Sequence, residues 1–320
     1  MRKIAVLTSG GDSPGMNACI RAAVRRTLNR GLSAIGVRKG FDGLIDGDFV
    51  GLESTDVSNI IQRGGTILHS ARSERFLTPE GRSAAAANLR NASIDGLVVI
   101  GGDGSFRGAD ILSEEHGIAV VGVPATIDND IWGTDLTIGF CTAVNTALDA
   151  IDKVRDTAAA HDRLFIVEVM GRSAGFIALE VGIGSGAEAV LIPETPTDLD
   201  AIVRKVRKRI SMGRSSNILV VAEGDEAGNA FEIADKIEKI SGLKSRVTVL
   251  GHVQRGGSPE SIDRVLASKL GWAAVDALVD GAGSCMVGDI NGKIAIHPLP
   301  DAWTRKKELD PLLLVLSETL

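Results

Sequence analysis

The sequence predicts an α/β protein with two doubly wound lobes and mainly parallel sheets. Short β-branched and apolar runs alternate with helical stretches along almost the whole chain. Some runs, such as Leu97–Ile100 and Leu219–Ala222, are continuously apolar, as parallel strands buried on both faces are. The 320 residues exceed the usual size of one domain, and no Pro- or Ser-rich linker separates two halves. A lobe boundary is therefore expected inside the α/β alternation, near residue 138.

The elements follow from these runs in chain order. Strands are predicted at Ile4–Thr8, Ala34–Val37, Gly96–Ile100, Ala119–Val123, Leu164–Met170, Ala189–Ile192, Ile218–Ala222 and Val247–Leu250. Helices are predicted at Met16–Arg30, Phe140–His161, Asp198–Met212, Phe231–Ser241 and Ile262–Asp280. In the second of these helices, Ala147, Ile151 and Val154 recur at i, i+4 and i+7, which gives one apolar face.

Composition excludes several classes of protein. An apolar fraction of 44% and a charged fraction of 24% are those of a globular chain, not a disordered one. The net charge of −6 argues against nucleic acid as the main partner. The three cysteines form no CxxC pair, so neither a disulfide framework nor a thiolate zinc site is expected. This cysteine usage predicts a cytoplasmic location. No apolar run is long enough to span a membrane, and no signal peptide is recognised.

A glycine-rich loop follows the first predicted strand. It runs from Thr8 to Asn17 with the sequence TSGGDSPGMN and leads into a helix. Its glycines let backbone N–H groups approach a phosphate, and the helix N-terminus adds a favourable dipole. No Gly-Lys-Ser/Thr follows, so it is not a Walker loop. A tight strand-to-helix turn without a ligand is the alternative interpretation.

A second glycine-rich loop, Gly101–Ser105 with the sequence GGDGS, follows the strand at Leu97–Ile100. Two such loops at strand ends favour a polyphosphate ligand. Asp103 is placed to hold Mg²⁺, because this ion prefers hard oxygen ligands and a bound nucleotide needs its charge neutralised.

The third informative loop has the sequence PATIDND and covers residues 124–130 after the strand Ala119–Val123. Its carboxylates Asp128 and Asp130 can divide two roles, one as general base and one orienting a metal or partner. An isolated Asp-x-Asp pair is most often a solvated turn. The two glycine-rich loops in the same predicted sheet make the functional interpretation stronger.

Arginines in or beside loops provide anion recognition. They are Arg72, Arg163, Arg172, Arg246 and Arg255. A guanidinium group matches phosphate oxygens bidentately, although a single loop arginine is more often a surface salt-bridge residue. The segment Gly251–Gly257, GHVQRGG, sets His, Gln and Arg between glycines after a strand, which indicates a ligand clamp.

The segment Gly171–Gly175 matches the GxSxG pattern of a hydrolase nucleophile elbow at Ser173. His297 follows in the order that such a triad requires, with Asp263 or Asp289 as its third member. No HGGG-type oxyanion segment is present, and a hydrolase leaves both glycine-rich loops unexplained. A hydrolase is therefore kept as a distant alternative.

Five ordered motifs together resemble the phosphofructokinase family. They are Thr8–Asn17, Gly101–Ser105, Thr126–Asp130, Met170–Arg172 and Gly251–Pro259. The resemblance spans residues 2 to about 290 and includes Gln62–Thr66 and Asp152–Thr157. The Gly-Gly-Asp-Gly motif alone is less specific, since NAD kinases and lipid kinases also contain it.

The resemblance implies transfer of the γ-phosphoryl group of MgATP to the 1-hydroxyl of fructose 6-phosphate. Asp128 is then the general base with Thr126 nearby, Asp103 serves Mg²⁺, and Arg72 and Arg172 stabilise the moving phosphoryl group. Contacts to ATP are expected from Gly11, Arg72, Ser73, Gly102, Asp103, Gly104 and Ser105. Contacts to the sugar phosphate are expected from Thr126, Ile127, Asp128, Met170, Gly171, Arg172, Glu223, His252, Val253, Gln254 and Arg255, with Arg163 and Arg246 from a neighbouring subunit.

The resemblance also implies a nucleotide-binding lobe of residues 1–138 with 254–303, a sugar-phosphate-binding lobe of 139–253 with 304–320, and a homotetramer. ADP or phosphoenolpyruvate is a possible effector, with the site residues Arg21, Arg25, Arg155, Gly186, Ala187, Glu188 and Arg214. Ser54 and Met212 stand where basic residues are common in the family, so a weak response is expected.

Other enzyme classes stay open beside this one. A pyrophosphate-dependent phosphofructokinase is the first alternative, although such relatives carry an acid at the position of Gly104 and a Lys at that of Ala125. Ala125 also departs from the ATP-dependent pattern, which has Gly there. Another sugar kinase, an NAD kinase and a catalytically silent regulator are the remaining alternatives.

Overall fold

The computed structural model describes residues 1–159, 164–213 and 217–319, and the chain divides into two compact units. The first unit contains Met1–Thr126, Asp130–Thr142 and Arg255–Lys307. The second contains Ile127–Asn129, Ala143–Gln254 and the residues from Glu308 on. The short segment at 127–129 belongs to the second unit, which was not expected from the sequence.

Strands and helices alternate through both units. The strands are β1 (Lys3–Thr8), β2 (Ser33–Val37), β3 (Phe49–Leu52), β4 (Gly96–Gly101), β5 (Ala119–Pro124), β6 (Leu164–Val169), β7 (Ala189–Leu191), β8 (Asn217–Ala222), β9 (Ser245–Val249), β10 (Cys285–Ile290) and β11 (Lys293–Pro298). The helices are α1 (Met16–Asn29), α2 (Gly40–Asp46), α3 (Pro79–Asn91), α4 (Asp103–His116), α5 (Phe140–Ala159), α6 (Phe176–Ser185), α7 (Leu199–Ser211), α8 (Ala230–Ser241), α9 (Ser261–Val279), α10 (Asp301–Thr304) and α11 (Pro311–Thr319). Short 3₁₀ turns lie at Arg75–Leu77 and Gly251–Arg255.

The first unit is built on a seven-stranded sheet in the order β11-β10-β5-β4-β1-β2-β3. The five central strands run parallel, whereas the edge strands β3 and β11 are antiparallel to their neighbours. Parallel strands require crossover connections, and helices provide them here. The carboxyl ends of β1, β4 and β5 therefore lie next to one another at one edge of the sheet.

Helices cover both faces of this sheet and form its core. One apolar cluster joins the sheet to α1 and α9, and the other joins it to α2, α3 and α4. The two helices α1 and α9 approach closely because position 271 is a glycine: an added Cβ there would lie 2.6 Å from the carbonyl oxygen of Cys19. The interiors of the central strands β1, β4 and β5 are fully buried, as their continuous apolar runs predict.

The second unit has a four-stranded, all-parallel sheet in the order β7-β8-β6-β9. Two of its helices start at side-chain caps. The Asp198 carboxylate accepts a hydrogen bond from Ala201 N at the start of α7, and Asn229 and Glu232 form a capping box at the start of α8.

The structure confirms the predicted α/β class with mainly parallel sheets, and each predicted strand is present with its ends shifted by a few residues. The prediction was incomplete at β3, β10 and β11, and at several helices that include α3, α4 and α6. It was wrong at the second loop, because α4 already begins at Asp103. No helix in the described residues is long and apolar enough to cross a membrane.

Candidate active site

Three of the predicted loops begin side by side in the first unit, at the ends of β1, β4 and β5. Thr8 at the end of β1 pairs with Ile100 of β4, and Gly101 of β4 pairs with Pro124 of β5. Hydrogen bonds continue past the strand ends: Ser9 N donates to the Ile100 carbonyl at 3.0 Å and Ala125 N to the Gly101 carbonyl at 2.9 Å. The carboxyl edge of a parallel sheet is where α/β proteins bind ligands.

The first glycine-rich loop lies against Arg255. An added Cβ at Gly11 would be 2.6 Å from Arg255 Nη1, and this nitrogen donates to the Asp12 carbonyl at 3.3 Å. The structure therefore groups Arg255 with the first loop inside the first unit, whereas the sequence grouped it with the sugar-phosphate residues. Ser70 holds the loop from the other direction by donating to the Gly10 carbonyl at 2.6 Å.

The second loop is short and leads directly into α4. A Cβ at Gly101 would lie 2.6 Å from Ser105 Oγ and 2.7 Å from the Ser9 carbonyl, so only glycine fits there. Gly102 is the N-cap of α4, and Asp103, Gly104 and Ser105 form its first turn. The first turn of a helix presents unpaired backbone N–H groups and a positive dipole end, which is an anion-binding arrangement.

The first turn of α4 has room for a polyphosphate and its cation. The side chain of Asp103 is 40% exposed, and a Cβ at Gly104 would meet no atom within 4 Å. Among the described residues no group of three or more His, Cys, Asp or Glu could hold a metal. One accessible carboxylate suits Mg²⁺, since this ion is usually held by one or two carboxylates together with substrate phosphates.

Arg72 and Ser73 lie in the first unit before the 3₁₀ turn at Arg75–Leu77. The Ser73 hydroxyl donates to the Asp42 carboxylate and accepts from Phe76 N at 3.2 Å, so its orientation is fixed. The Arg72 side chain is exposed, and the part of the chain that the structure describes offers it no ion pair. An exposed guanidinium group of this kind can bind an incoming anion.

The segment after β5 is fixed by backbone contacts. Thr126 is 8% exposed, and its carbonyl accepts from Thr137 Oγ1 at 2.6 Å. Ala125 is fully buried in the core cluster and does not adopt a positive φ. Its methyl group is therefore accommodated in an ordinary backbone conformation, with none of the strain that the departure from glycine suggested.

Asp128 and Arg172 come together in the second unit. Asp128 is fully buried, and its Oδ2 lies 3.3 Å from Nε of Arg172, whose side chain is 47% exposed. The carboxylate is therefore placed next to a guanidinium group that also reaches solvent. A buried carboxylate can accept a proton from a hydroxyl group, and the adjacent cation can stabilise negative charge that develops beside it.

The turn that carries Arg172 is held from several directions. The amide N–H of Met170 donates to Gln254 Oε1 at 2.9 Å, and that of Arg172 donates to Glu223 Oε1 at 2.7 Å. Arg172 has φ 53°, in the left-handed region that a non-glycine residue rarely adopts. Strained conformations of this kind persist where the surroundings fix them, and they are frequent at functional sites.

The remaining sugar-phosphate candidates are distributed more widely. Glu223, His252 and Val253 are exposed in the second unit, whereas Gln254 is fully buried. Arg246 is exposed on β9, the edge strand of the smaller sheet. Arg163 lies outside the described residues.

The hydrolase alternative receives no support from the contacts of its expected members. Asp263 accepts hydrogen bonds from Gly139 and Thr142, and Asp289 forms an ion pair with Lys269. The ring of His297 packs edge-on against Trp132, with ring centroids 4.9 Å apart. Both carboxylates offered as the third member of a triad are therefore engaged with other groups.

The effector candidates form two groups. On α1, burial lowers the pKa of Arg21, and the positive charge of Arg25 one turn away lowers it further, so these two cations repel each other. In the second unit, Arg155 Nη2 donates to the Gly186 carbonyl at 3.2 Å. Burial raises the pKa of Glu188, which is 3% exposed and pairs with Arg209. Arg214 lies outside the described residues.

The sequence named Asn17 and Asp263 but missed the contacts that these two residues make. Asn17 is 1% exposed and donates to the carbonyls of Arg63 and Gly64, which ties α1 to the segment before Ile67. Asp263 is fully buried next to the segment that follows Thr126, and burial raises its pKa. A polar residue inside an apolar helical pattern was the available signal for Asp263, but the sequence did not identify its partners.

Comparisons with known proteins agree on one family. The family model described as phosphofructokinase matches residues 3–278. The ATP-dependent 6-phosphofructokinase 1 of Thermus thermophilus is 56% identical over 320 residues, covering 100% of this chain and 99% of the relative. The ATP-dependent 6-phosphofructokinase of Thermotoga neapolitana is 52% identical, covering 100% of both chains.

Solved structures share the fold. The phosphofructokinase of Saccharomyces cerevisiae superposes with a TM-score of 0.90 at 37% identity, covering 94% of this chain and 45% of that one. The pyrophosphate-dependent phosphofructokinase of Marinobacter aquaeolei has a TM-score of 0.83 at 23% identity, covering 97% of this chain and 86% of that one. The second likeness shows the shared fold only.

Proposed function

Because the chain belongs to the phosphofructokinase family, we propose that it transfers the γ-phosphoryl group of ATP to the 1-hydroxyl of fructose 6-phosphate. The products are ADP and fructose 1,6-bisphosphate. The observation that carries the proposal is the fully buried Asp128 carboxylate, 3.3 Å from the Arg172 guanidinium. The names of the relatives, which are 56% and 52% identical over the full chain, support ATP as the donor.

In this proposal Asp128 is the general base. It accepts the proton of the sugar 1-hydroxyl as that oxygen forms its bond to the γ-phosphorus, while the bond from phosphorus to the β,γ-bridging oxygen breaks. Arg172 stabilises the charge on the transferring group, because its guanidinium lies beside the proposed base Asp128 and reaches solvent. The fixed turn around Arg172 means that little reorganisation accompanies the reaction.

The proposed nucleotide contacts are the first loop and the first turn of α4 in the first unit. Gly11 and Gly102–Gly104 would offer backbone N–H groups to phosphates, Ser105 lies in the same turn, and the exposed Arg72 adds a cation. Asp103 is the residue that would hold Mg²⁺, which neutralises phosphate charge when bound. Gly104 adds no negative charge beside the phosphates, a point that favours ATP over pyrophosphate.

These contacts support an assignment of roles to the two units. We propose that the first unit binds the nucleotide and the second binds the sugar phosphate through Met170, Gly171, Arg172 and Glu223. Arg246 is exposed on an edge strand, which suits the proposed role of completing the sugar-phosphate site of a neighbouring subunit in a homotetramer. Cys19 and Cys285 are buried, which suits the proposed cytoplasmic location.

An anion effector such as ADP or phosphoenolpyruvate is a further part of the proposal. Arg21 and Arg25 repel each other on one face of α1, and an anion bound there would relieve that repulsion. Arg155, Gly186, Ala187 and Glu188 would complete the site from a neighbouring subunit. The response should be weak, because Ser54 and the 65%-exposed Met212 bring no charge.

A donor assay tests the proposed function. The purified protein is supplied with fructose 6-phosphate, Mg²⁺ and either ATP or pyrophosphate at equal concentrations, and fructose 1,6-bisphosphate is measured. Turnover should depend on ATP. Faster turnover with pyrophosphate would show that pyrophosphate, not ATP, is the donor. Absence of fructose 1,6-bisphosphate with either donor would contradict the proposed reaction. Ester hydrolysis that is lost in Ser173→Ala would instead support the hydrolase alternative.

A further inference from the structure

Asp263 is a buried carboxylate that the proposed reaction does not use. It is the third residue of α9 and is fully buried. Its Oδ1 accepts from Gly139 N at 2.8 Å, and its Oδ2 accepts from Thr142 N at 2.8 Å and from Thr142 Oγ1 at 2.5 Å. The Asp263 side chain on α9 therefore accepts three hydrogen bonds from residues at the start of α5.

The connection between these helices is reciprocal. Thr142 Oγ1 also accepts from Glu260 N, the N-cap of α9, at 2.9 Å. Asp263 thus caps the start of α5, and Thr142 caps the start of α9. Each helix supplies a side chain that accepts from backbone N–H groups at the start of the other. The carboxylate lies at two helix N-termini, where negative charge is favoured.

A third helix start packs on the same group. Gly15 is the N-cap of α1, and an added Cβ there would lie 2.7 Å from Ile138 and 3.6 Å from the Asp263 side chain. A Cβ at Gly139 would lie 2.6 Å from that of Ser13. The first glycine-rich loop therefore packs directly on the residues that Asp263 holds.

The residues that Asp263 holds are continuous with the segment that carries the proposed base. Ile138 N donates to the Pro124 carbonyl at 3.0 Å, and Thr137 Oγ1 donates to the Thr126 carbonyl at 2.6 Å. Asp128 follows Thr126 by two residues. Contacts thus lead from Asp263 through Gly139 and Thr137 to the backbone just before Asp128.

From these contacts we propose that Asp263 is a positioning residue, which fixes the backbone of 124–139 and so sets the placement of Asp128 for proton transfer. The catalytic consequence of this inference rests on the proposed function. The structural part, that Asp263 orders residues 124–139, is independent of that function. Asp263 does not contact the sugar phosphate in this proposal, and the main contacts, Met170–Arg172 and Glu223, lie outside 124–139. Its loss should therefore affect kcat more than the KM for fructose 6-phosphate.

The test uses Asp263→Asn in the full chain. The new amide directs an NH₂ group at a backbone N–H donor, so one of the capping bonds is lost with almost no change in volume. We expect kcat to fall by about 10- to 100-fold, since a small misplacement of a reacting group has effects of this order. The KM for fructose 6-phosphate should change by less than about threefold.

A double-mutant cycle separates positioning from a general structural role. In an Asp128→Asn background, Asp263→Asn should lower the remaining kcat by less than about threefold, because the group that it positions has gone. Thr142→Val, which removes both Oγ bonds, should reduce kcat, and Thr142→Ser should retain it. Asp110→Asn is the matched control: Asp110 is 7% exposed in the same unit and accepts from the Ser284 hydroxyl, away from these segments.

Hydrogen–deuterium exchange gives a readout that needs no substrate. Amides in 124–139 should exchange faster in Asp263→Asn than in the parent or in Asp110→Asn. Unchanged exchange, a kcat within about threefold of the parent, or an equal loss in the Asp128→Asn background would each overturn the proposal. If the parent lacks activity with ATP and fructose 6-phosphate, the proposed function fails, and the exchange result still decides whether Asp263 orders this segment.

Discussion

Replacing Asp128 by Asn is the sharpest perturbation of the proposed reaction. The two side chains have nearly the same size, so the buried site stays filled, but the amide cannot accept the proton of the sugar hydroxyl. Removing a general base lowers rates by about 10²–10⁴. At about 1.36 kcal/mol for each factor of ten, the activation barrier should rise by about 2.7–5.4 kcal/mol. Asp128→Ser should give a similar loss, since it also removes the base.

The fold and substrate binding should survive this change. The Arg172 side chain is 47% exposed, so solvent can stabilise its charge when the carboxylate is gone. Asp128 itself is fully buried, so losing its contact with Arg172 should lower the free energy of unfolding by about 1–3 kcal/mol, which leaves the fold intact. The contacts of Met170, Gln254 and Glu223 do not involve Asp128 and should keep the turn in place.

The assay follows ADP release at saturating ATP and Mg²⁺ while fructose 6-phosphate is varied. Calorimetry measures binding of fructose 6-phosphate to the variant directly. Ser173→Ala is the control, because Ser173 is exposed in the same turn and no role in phosphoryl transfer is proposed for it. A kcat for Asp128→Asn within tenfold of the parent, with full occupancy by both substrates, would refute its role as general base.

Donor choice, effector response and acid stability give further expected outcomes. Gly104→Asp should lower kcat/KM for ATP by at least about tenfold, because its carboxylate would repel phosphates at the start of α4; equal values would contradict the proposed phosphate position. ADP or phosphoenolpyruvate should shift the half-saturating fructose 6-phosphate concentration by less than about threefold, an order-of-magnitude expectation for a site short of cations. A larger shift that is lost in Arg21→Ala and Arg25→Ala would show that the site responds strongly without basic residues at positions 54 and 212. The Arg82 hydrogen bond holds the pKa of Glu115 below its usual range, so this pair stabilises the fold at neutral pH and the effect is lost as pH falls through the depressed pKa. Glu115→Gln should therefore lower Tm at pH 7 and much less near pH 3, and an equal loss at both would contradict this.

The sequence predicted best those parts of the fold that depend on local pattern. Continuous apolar runs identified the central strands, and glycine-rich loops after β1 and β4 identified the carboxyl edge where they meet. The pattern failed where local signals were weak. The segment at β10, CMVGDI, contains a glycine and an aspartate, and α6 contains two glycines in ten residues, so neither matches its periodic template well.

Long-range partners set the limit at the site itself. Arg255 follows Gln254 directly, so the sequence assigned both to one ligand clamp. In the structure, Arg255 donates a hydrogen bond to the loop that contains Gly11. The buried Gln254 instead accepts a hydrogen bond from the Met170 amide. Likewise, Asp263 and Gly139 are 124 positions apart, and no local rule joins them. Side-chain contacts across such separations depend on how the helices pack, which periodicity alone does not determine.

The left-handed backbone at Arg172 has a consequence for anyone who engineers this protein toward higher temperature. Glycine adopts such a φ freely, whereas an arginine there gives up about 1 kcal/mol or more of stability. A screen that scores melting temperature alone would therefore reward Arg172→Gly and discard the guanidinium beside Asp128. Selection must include turnover at every round. A relative adapted to heat that keeps this arginine would have to gain its stability elsewhere in the chain.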